Sequence, residues 1–323
     1  MSFFHSRNFS FYDRQVGEYL DLVYSNSYKY YKDNFFDKGS SYDLDNDLDC
    51  LVRGIKYLED FLYYYFEFYF DDFDRIFYDL KNNIHIVSLL PVNERGIFGK
   101  VDIDNKLFML NPSLTRSDTL TSEERTRLYT FHELGHFVNA GWMNSAISHV
   151  NSLPDDRDTK QLLLDGFSLV DEVATQERAE EMTYYFTRKQ RPSLYKTSRR
   201  QLYNGEQYHT NFDYYGELEE PAFMFASTIR GIGNKTTMEN IIKELSIRTL
   251  DDKFVDKLIS EYKRDGHLND LYTILEYMGI IFNASYALFG YSDKKYLSNS
   301  KMAFDGLDKI TFGLADTRDP YNY

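Results

Sequence analysis

Two histidines four residues apart, His132 and His136, sit in a stretch that is apolar on most sides, with Leu128, Tyr129, Phe131, Leu134, Phe137 and Val138 around them. In a helix, residues at that spacing lie one above the other on a single face. The apolar residues predict that a helix over about 122–140 is buried. Arg125, His132 and His136 on its remaining side then need partners inside the protein, because an unpartnered buried polar group costs free energy. A metal ion is one partner that two imidazoles a turn apart can share. Glu133 projects about 100° further round the helix, within reach of a water on such an ion. Local signals agree with the placement. Thr121 and Glu124 have the spacing of a capping box, Asp118 and Glu123 add negative charge at the start, and Gly141 is expected to stop the helix.

Bulk composition narrows the classes of function. The net charge of −14 argues against nucleic acid, whose affinity comes mainly from Lys and Arg on phosphates, and against an anionic membrane surface. A single cysteine, Cys50, allows no disulfide framework and no cysteine-based zinc site. The longest apolar run, Phe61 to Phe70, is too short to span a bilayer, and Met1 to Ser10 has no apolar segment of signal-peptide length. The expectation is a cytoplasmic protein with no membrane insertion, signal-independent secretion remaining open.

Along the chain, residues 10–80 read as helical, with a break between Asn34 and Ser41 and an aromatic stripe over 57–73 expected to serve helix packing. Asp43-Leu44-Asp45-Asn46-Asp47 begins like a calcium loop. Leu48 stands where that loop needs Gly and Gly54 where it needs Glu, so an acidic helix start is expected. From 84 to 110 the period becomes strand-like. Ile84–Leu90 is one strand, and Ile97–Ile103 and Lys106–Leu110 flank a tight turn at Asp104-Asn105. A peptide could pair with the last of these strands, or the sheet simply supports the helix that follows. Residues 142–160 read as a polar loop in which His149 faces solvent. Helices are then expected from Asp165-Gly166 to about Lys189, over Glu217–Arg230 with Pro221 in the first turn, and over Met238–Ile247, Lys253–Tyr262 and Leu268–Phe282. The final stretch has weak periodicity.

His132-Glu133-Leu134-Gly135-His136 resembles the HExxH motif of the zincin metallopeptidases. Metzincins extend that motif to a third His, but Asn139 and Trp142 occupy the corresponding positions here. Gluzincins instead draw a Glu from a later helix, with a small residue three positions on. Asp171-Glu172-Val173-Ala174-Thr175-Gln176 is similar to that second motif. The resemblance implies Glu172 as third zinc ligand, Thr175 as the small residue, and Asp171 as a group orienting a histidine. The residues themselves leave two alternatives open. Glu177 falls in the middle of the apolar stripe formed by Val170, Val173, Ala174 and Tyr185. Glu219 begins Glu219-Glu220-Pro221-Ala222-Phe223-Met224-Phe225-Ala226, which resembles, more weakly, the E-x-x-A-x-x-F-A helix of ImmA/IrrE-type intracellular peptidases.

The expected fold is α+β and mostly helical. It has a zincin-like catalytic core, a small sheet before the active-site helix, and added N- and C-terminal helices. The expected organisation is a Tyr/Phe-rich helical region over 1–80 and a zincin-like metallopeptidase domain over 81–323 with a C-terminal helical subdomain. The resemblance implies hydrolysis of a peptide bond in a protein or peptide substrate. One catalytic Zn²⁺ held by His132, His136 and a Glu activates a water, and Glu133 is the general base. Tyr208, His209, Tyr214 and Tyr215 are candidates by residue type for stabilising the oxyanion. The alternative is a catalytically inactive zincin-like or structural-zinc protein that acts as a binding or regulatory module. An intact Glu133 speaks against it.

Overall fold

The polar punctuation between residues 83 and 111 divides a helical N-terminal stretch from the long helices that follow, and a small sheet forms there. The computed structural model describes residues 12–36, 44–91, 99–111, 121–187, 214–232, 237–288 and 291–318. They fall into two compact units. One comprises residues 1–137 with 179–192, the other 138–178 with 193–323.

In the first unit, α1 (Gly17–Tyr31) is flanked by π-helical turns at Tyr12–Val16 and Lys32–Phe36. Helices α2 (Leu44–Phe68) and α3 (Phe70–Asn83) follow, broken at Tyr69. Tyr19 of α1 is fully buried and donates its hydroxyl to the carbonyls of Leu80 (3.3 Å) and Ile84 (2.9 Å), where α3 ends. Burial pushes that phenol far above its ordinary pKa, so it stays a donor. The sheet consists of β1 (Ile86–Leu89), β2 (Gly99–Asp102) and β3 (Leu107–Leu110) in the order β1-β3-β2. β3 runs parallel to β1 and antiparallel to β2. The turn between β2 and β3 is held by the Asp102 carboxylate, which accepts from the backbone N–H (3.1 Å) and side-chain amide (2.9 Å) of Asn105. Lys106 completes it with φ +56°. On the outer side of β1, the Val87 N–H donates to Ser27 Oγ at 2.8 Å, and that hydroxyl donates in turn to the Val23 carbonyl at 2.6 Å.

The aromatic stripe does pack helices together. Tyr64 and Phe68 meet Tyr185 edge-on at 5.6 and 5.1 Å between ring centroids, and Phe61 and Phe186 both contact Phe131, at 6.3 and 5.8 Å. The Arg127 guanidinium lies over the rings of Tyr57 (4.9 Å) and Phe186 (5.8 Å) and 3.8 Å from the largely buried Asp60. Burial raises the Asp60 carboxyl above its ordinary range, against the opposing pull of Lys56 and Arg127.

Two long helices, α4 (Ser122–Ser152) and α5 (Arg157–Thr187), contribute residues to both units. The second unit adds α6 (Tyr214–Ser227), α7 (Met238–Arg248), α8 (Phe254–Arg264), α9 (Leu268–Leu288) and α10 (Lys295–Arg318) around one apolar core. Helices α5 and α9 approach backbone to backbone. A Cβ on Gly166 would clash with the Leu275 carbonyl, and one on Gly279 with the Leu162 carbonyl. Beside this contact the Asn283 amide donates to Asp165 at 2.6 Å.

The architecture is mostly helical with one small sheet, as expected, and several local expectations fail. Residues 142–152 continue α4 instead of forming a loop, because Trp142, Ala146 and Val150 are buried. Gly141 does not stop the helix; it makes room for the Asp252 side chain, which a Cβ there would strike. His149 is half-buried rather than solvent-facing. Its Nε2 lies 2.9 Å from the Tyr272 hydroxyl, and burial lowers its pKa against the pull of Asp256. Pro221 lies well inside α6, not in its first turn, and the weakly periodic end of the chain forms α10. Finally, β3 is the central strand and is paired on both sides, so it cannot accept a peptide. Among the described residues, no helix is long and apolar enough to cross a membrane.

The close α5–α9 approach makes a stability prediction. Gly279→Ala is expected to destabilise the protein by about 1–3 kcal/mol through overpacking. Gly313→Ala in α10, where nothing lies within 4 Å of the new Cβ, is expected to stabilise it by up to about 1 kcal/mol through helix propensity. Denaturant midpoints of both variants check this; equal midpoints would mean that α5 and α9 stand further apart.

Candidate metal centre

Helix α4 starts where its capping residues dictate. The Thr121 hydroxyl accepts from the Glu124 N–H at 3.2 Å, and the Glu124 carboxylate accepts from the Thr121 N–H at 2.8 Å. With the start fixed, His132 and His136 fall on one face, their ring centroids 4.9 Å apart and their planes perpendicular. His132 is buried, while Glu133 and His136 are half-buried.

Glu172, on α5, joins the pair. One ligand atom from each of His132, His136 and Glu172 lies within 4.8 Å of the others, and no other group of metal-ligating side chains of this kind occurs among the described residues. That spacing is of the order a single ion requires, donors around a tetrahedral zinc standing about 3.4 Å apart. The donor set also fits. Two imidazoles and one carboxylate are a donor set that zinc and other divalent transition metals accept. Glu177 and Glu219, the two alternatives, are more deeply buried than Glu172, at 3% and 5% exposure, yet neither belongs to the group.

A buried hydrogen-bond network joins the two helices next to the group. The Asn139 amide donates to Asp171 Oδ1 at 2.6 Å and to Thr175 Oγ1 at 2.9 Å, and its carbonyl oxygen accepts from Arg178 at 2.6 Å. Arg178 also donates to the Ser246 carbonyl (2.5 Å) and the Thr249 hydroxyl (2.8 Å) at the end of α7. Thr175 and Asp171 thus both meet the Asn139 amide. The roles of Asn139 and Arg178 were not foreseen. Their one sequence signal is a polar residue among apolar neighbours, Phe137-Val138 for Asn139 and Val173-Ala174 with Ala179 for Arg178.

Gly99 is a further residue that the sequence does not mark. It opens β2 directly against Glu133, where an added Cβ would stand 2.9 Å from Glu133 Cγ. Any larger residue there would displace the Glu133 side chain. Of the candidate oxyanion donors, Tyr208 and His209 lie outside the described residues, and only the helical backbone of Tyr214 and Tyr215 is described.

The geometry predicts metal content. Purified wild type is expected to hold one zinc per chain by mass spectrometry. Glu172→Ala should lose it, while Glu177→Gln and Glu219→Gln should keep it. Loss in either of the last two with retention in Glu172→Ala would reassign the third ligand. No protein-family model, no curated protein and no solved structure matches this chain.

Proposed function

We propose that the chain is a zinc-dependent metallopeptidase that hydrolyses peptide bonds, built on a zincin-like core. The observation that carries this reading is the meeting of Glu172 with the two histidines, because it completes a three-ligand set beside a carboxylate the ligand set does not use. His132, His136 and Glu172 would hold the ion, which when bound supplies Lewis acidity to a substrate carbonyl and to water.

The protein's own residues do the rest. The Glu133 carboxylate takes the proton of the attacking water and passes it to the nitrogen of the leaving amine. Its position follows from helix geometry on one side and from the bare backbone of Gly99 on the other. Strand β2, at the margin of the sheet and against Glu133, is where an extended peptide would lie. An added strand is held by main-chain hydrogen bonds, which suits a substrate whose backbone is cut.

Two outcomes are expected when cleavage of a complex peptide mixture is followed by mass spectrometry of new termini. Glu133→Gln should keep its zinc and lose cleavage by about 10²–10⁴-fold. Gly99→Val should also keep its zinc while cleavage falls, since the displaced carboxylate no longer reaches the water. Wild-type cleavage by Glu133→Gln would sink the peptidase reading. A zinc-loaded wild type that cuts nothing, yet captures a partner equally well with either Glu or Gln at 133, would favour the binding module.

A further inference from the structure

Given the metal centre inferred above, we propose that Asn139 and Arg178 are positioning residues that set the register of α5 against α4 and so bring Glu172 to the histidine pair. Asn139 lies one turn beyond His136 on α4. Asp171, Thr175 and Arg178 recur along one face of α5, and all three grip the same amide, two through its N–H groups and one through its oxygen. Asp171 is the immediate neighbour of Glu172.

Register follows directly. Sliding α5 by one residue would shift Glu172 by about 1.5 Å and turn it by about 100°. The same slip would break all three hydrogen bonds. Asn139 and Thr175 are fully buried and Arg178 is 2% exposed, so a partner lost on any of these three is costly. Apolar packing alone tolerates small slips, whereas a buried polar contact with one good geometry does not.

The network also has an outside anchor. Arg178 reaches the Ser246 carbonyl and Thr249 at the C-terminal end of α7, where the helix dipole favours a cation. The amide of Asn139 thus sits between the Arg178 cation and the Asp171 carboxylate, and each polarises it in the same sense.

The test uses the full chain and zinc itself as the probe. Affinity is measured by chelator competition, the site is reported by the absorption of Co²⁺ bound in place of zinc, and the metal-free protein is melted in parallel. Asn139→Asp keeps the shape and still accepts from Arg178, but it cannot donate to Asp171 or Thr175. Its zinc affinity is expected to fall at least about tenfold and its Co²⁺ spectrum to change. Thr175→Val, of nearly equal shape, should move both readouts in the same direction by less, and Thr175→Ser should restore them. That valine–serine pair decides the matter if Asn139→Asp fails to fold. Wild-type zinc affinity and an unchanged Co²⁺ spectrum in a folded Asn139→Asp, or in Thr175→Val should Asn139→Asp not fold, would overturn the positioning role even if the metal-free form melts lower. A wild type that binds no zinc would remove the metal centre and this role together.

Discussion

From Val173 to Glu180 every residue of α5 is buried, although the stretch carries Thr175, Gln176, Glu177, Arg178 and Glu180. Bringing so many polar groups inside is unfavourable unless each finds a partner. This requirement shapes the second unit. The Arg178 guanidinium needs acceptors that no single helix supplies, and it takes them from Asn139 on α4 and from the end of α7. Helices that share such a residue cannot slide independently. The apolar core around them supplies the bulk of the free energy, while the polar contacts choose one arrangement among several that would bury similar area.

Much of the site was legible in the sequence because it depends on local rules. A capping box fixes the start of α4, helical period aligns His132 with His136, and Asp-Asn between two short apolar runs forms the turn before β3. The candidate third ligand shows where local rules end. Glu172, Glu177 and Glu219 each satisfied some sequence criterion. The criterion of lying in an apolar stripe found a buried carboxylate in Glu177, but not the one beside the histidines. Glu172 itself is only half-buried, so burial in an apolar stripe was the wrong guide to it. Which helix faces which is a tertiary fact, and of the three only Glu172 groups with the histidines.

The misread elements share that cause. Gly141 looked like a helix stop because helices often end at Gly. Its reason for being Gly is the Asp252 side chain, which comes from more than a hundred residues later in the chain. The last helix has a broad, interrupted apolar face of Ala303, Phe304, Leu307 and Leu314 against α9, which no strict period marks. Strand order is not written in the order of the chain, so the last strand became the middle one. Gly99 gave no signal at all, since a glycine that makes room for a neighbour looks the same as a glycine in a loop.

The hydroxyl of Ser27 fills the hydrogen-bonding site that β1 would offer to another strand. A three-stranded sheet normally has two margins at which a stray chain can add, and this one has an α-helix plugged into the first. At Val87 the edge offers no free donor to an added strand. Helix α1, rather than a further strand, thus borders the sheet at Val87.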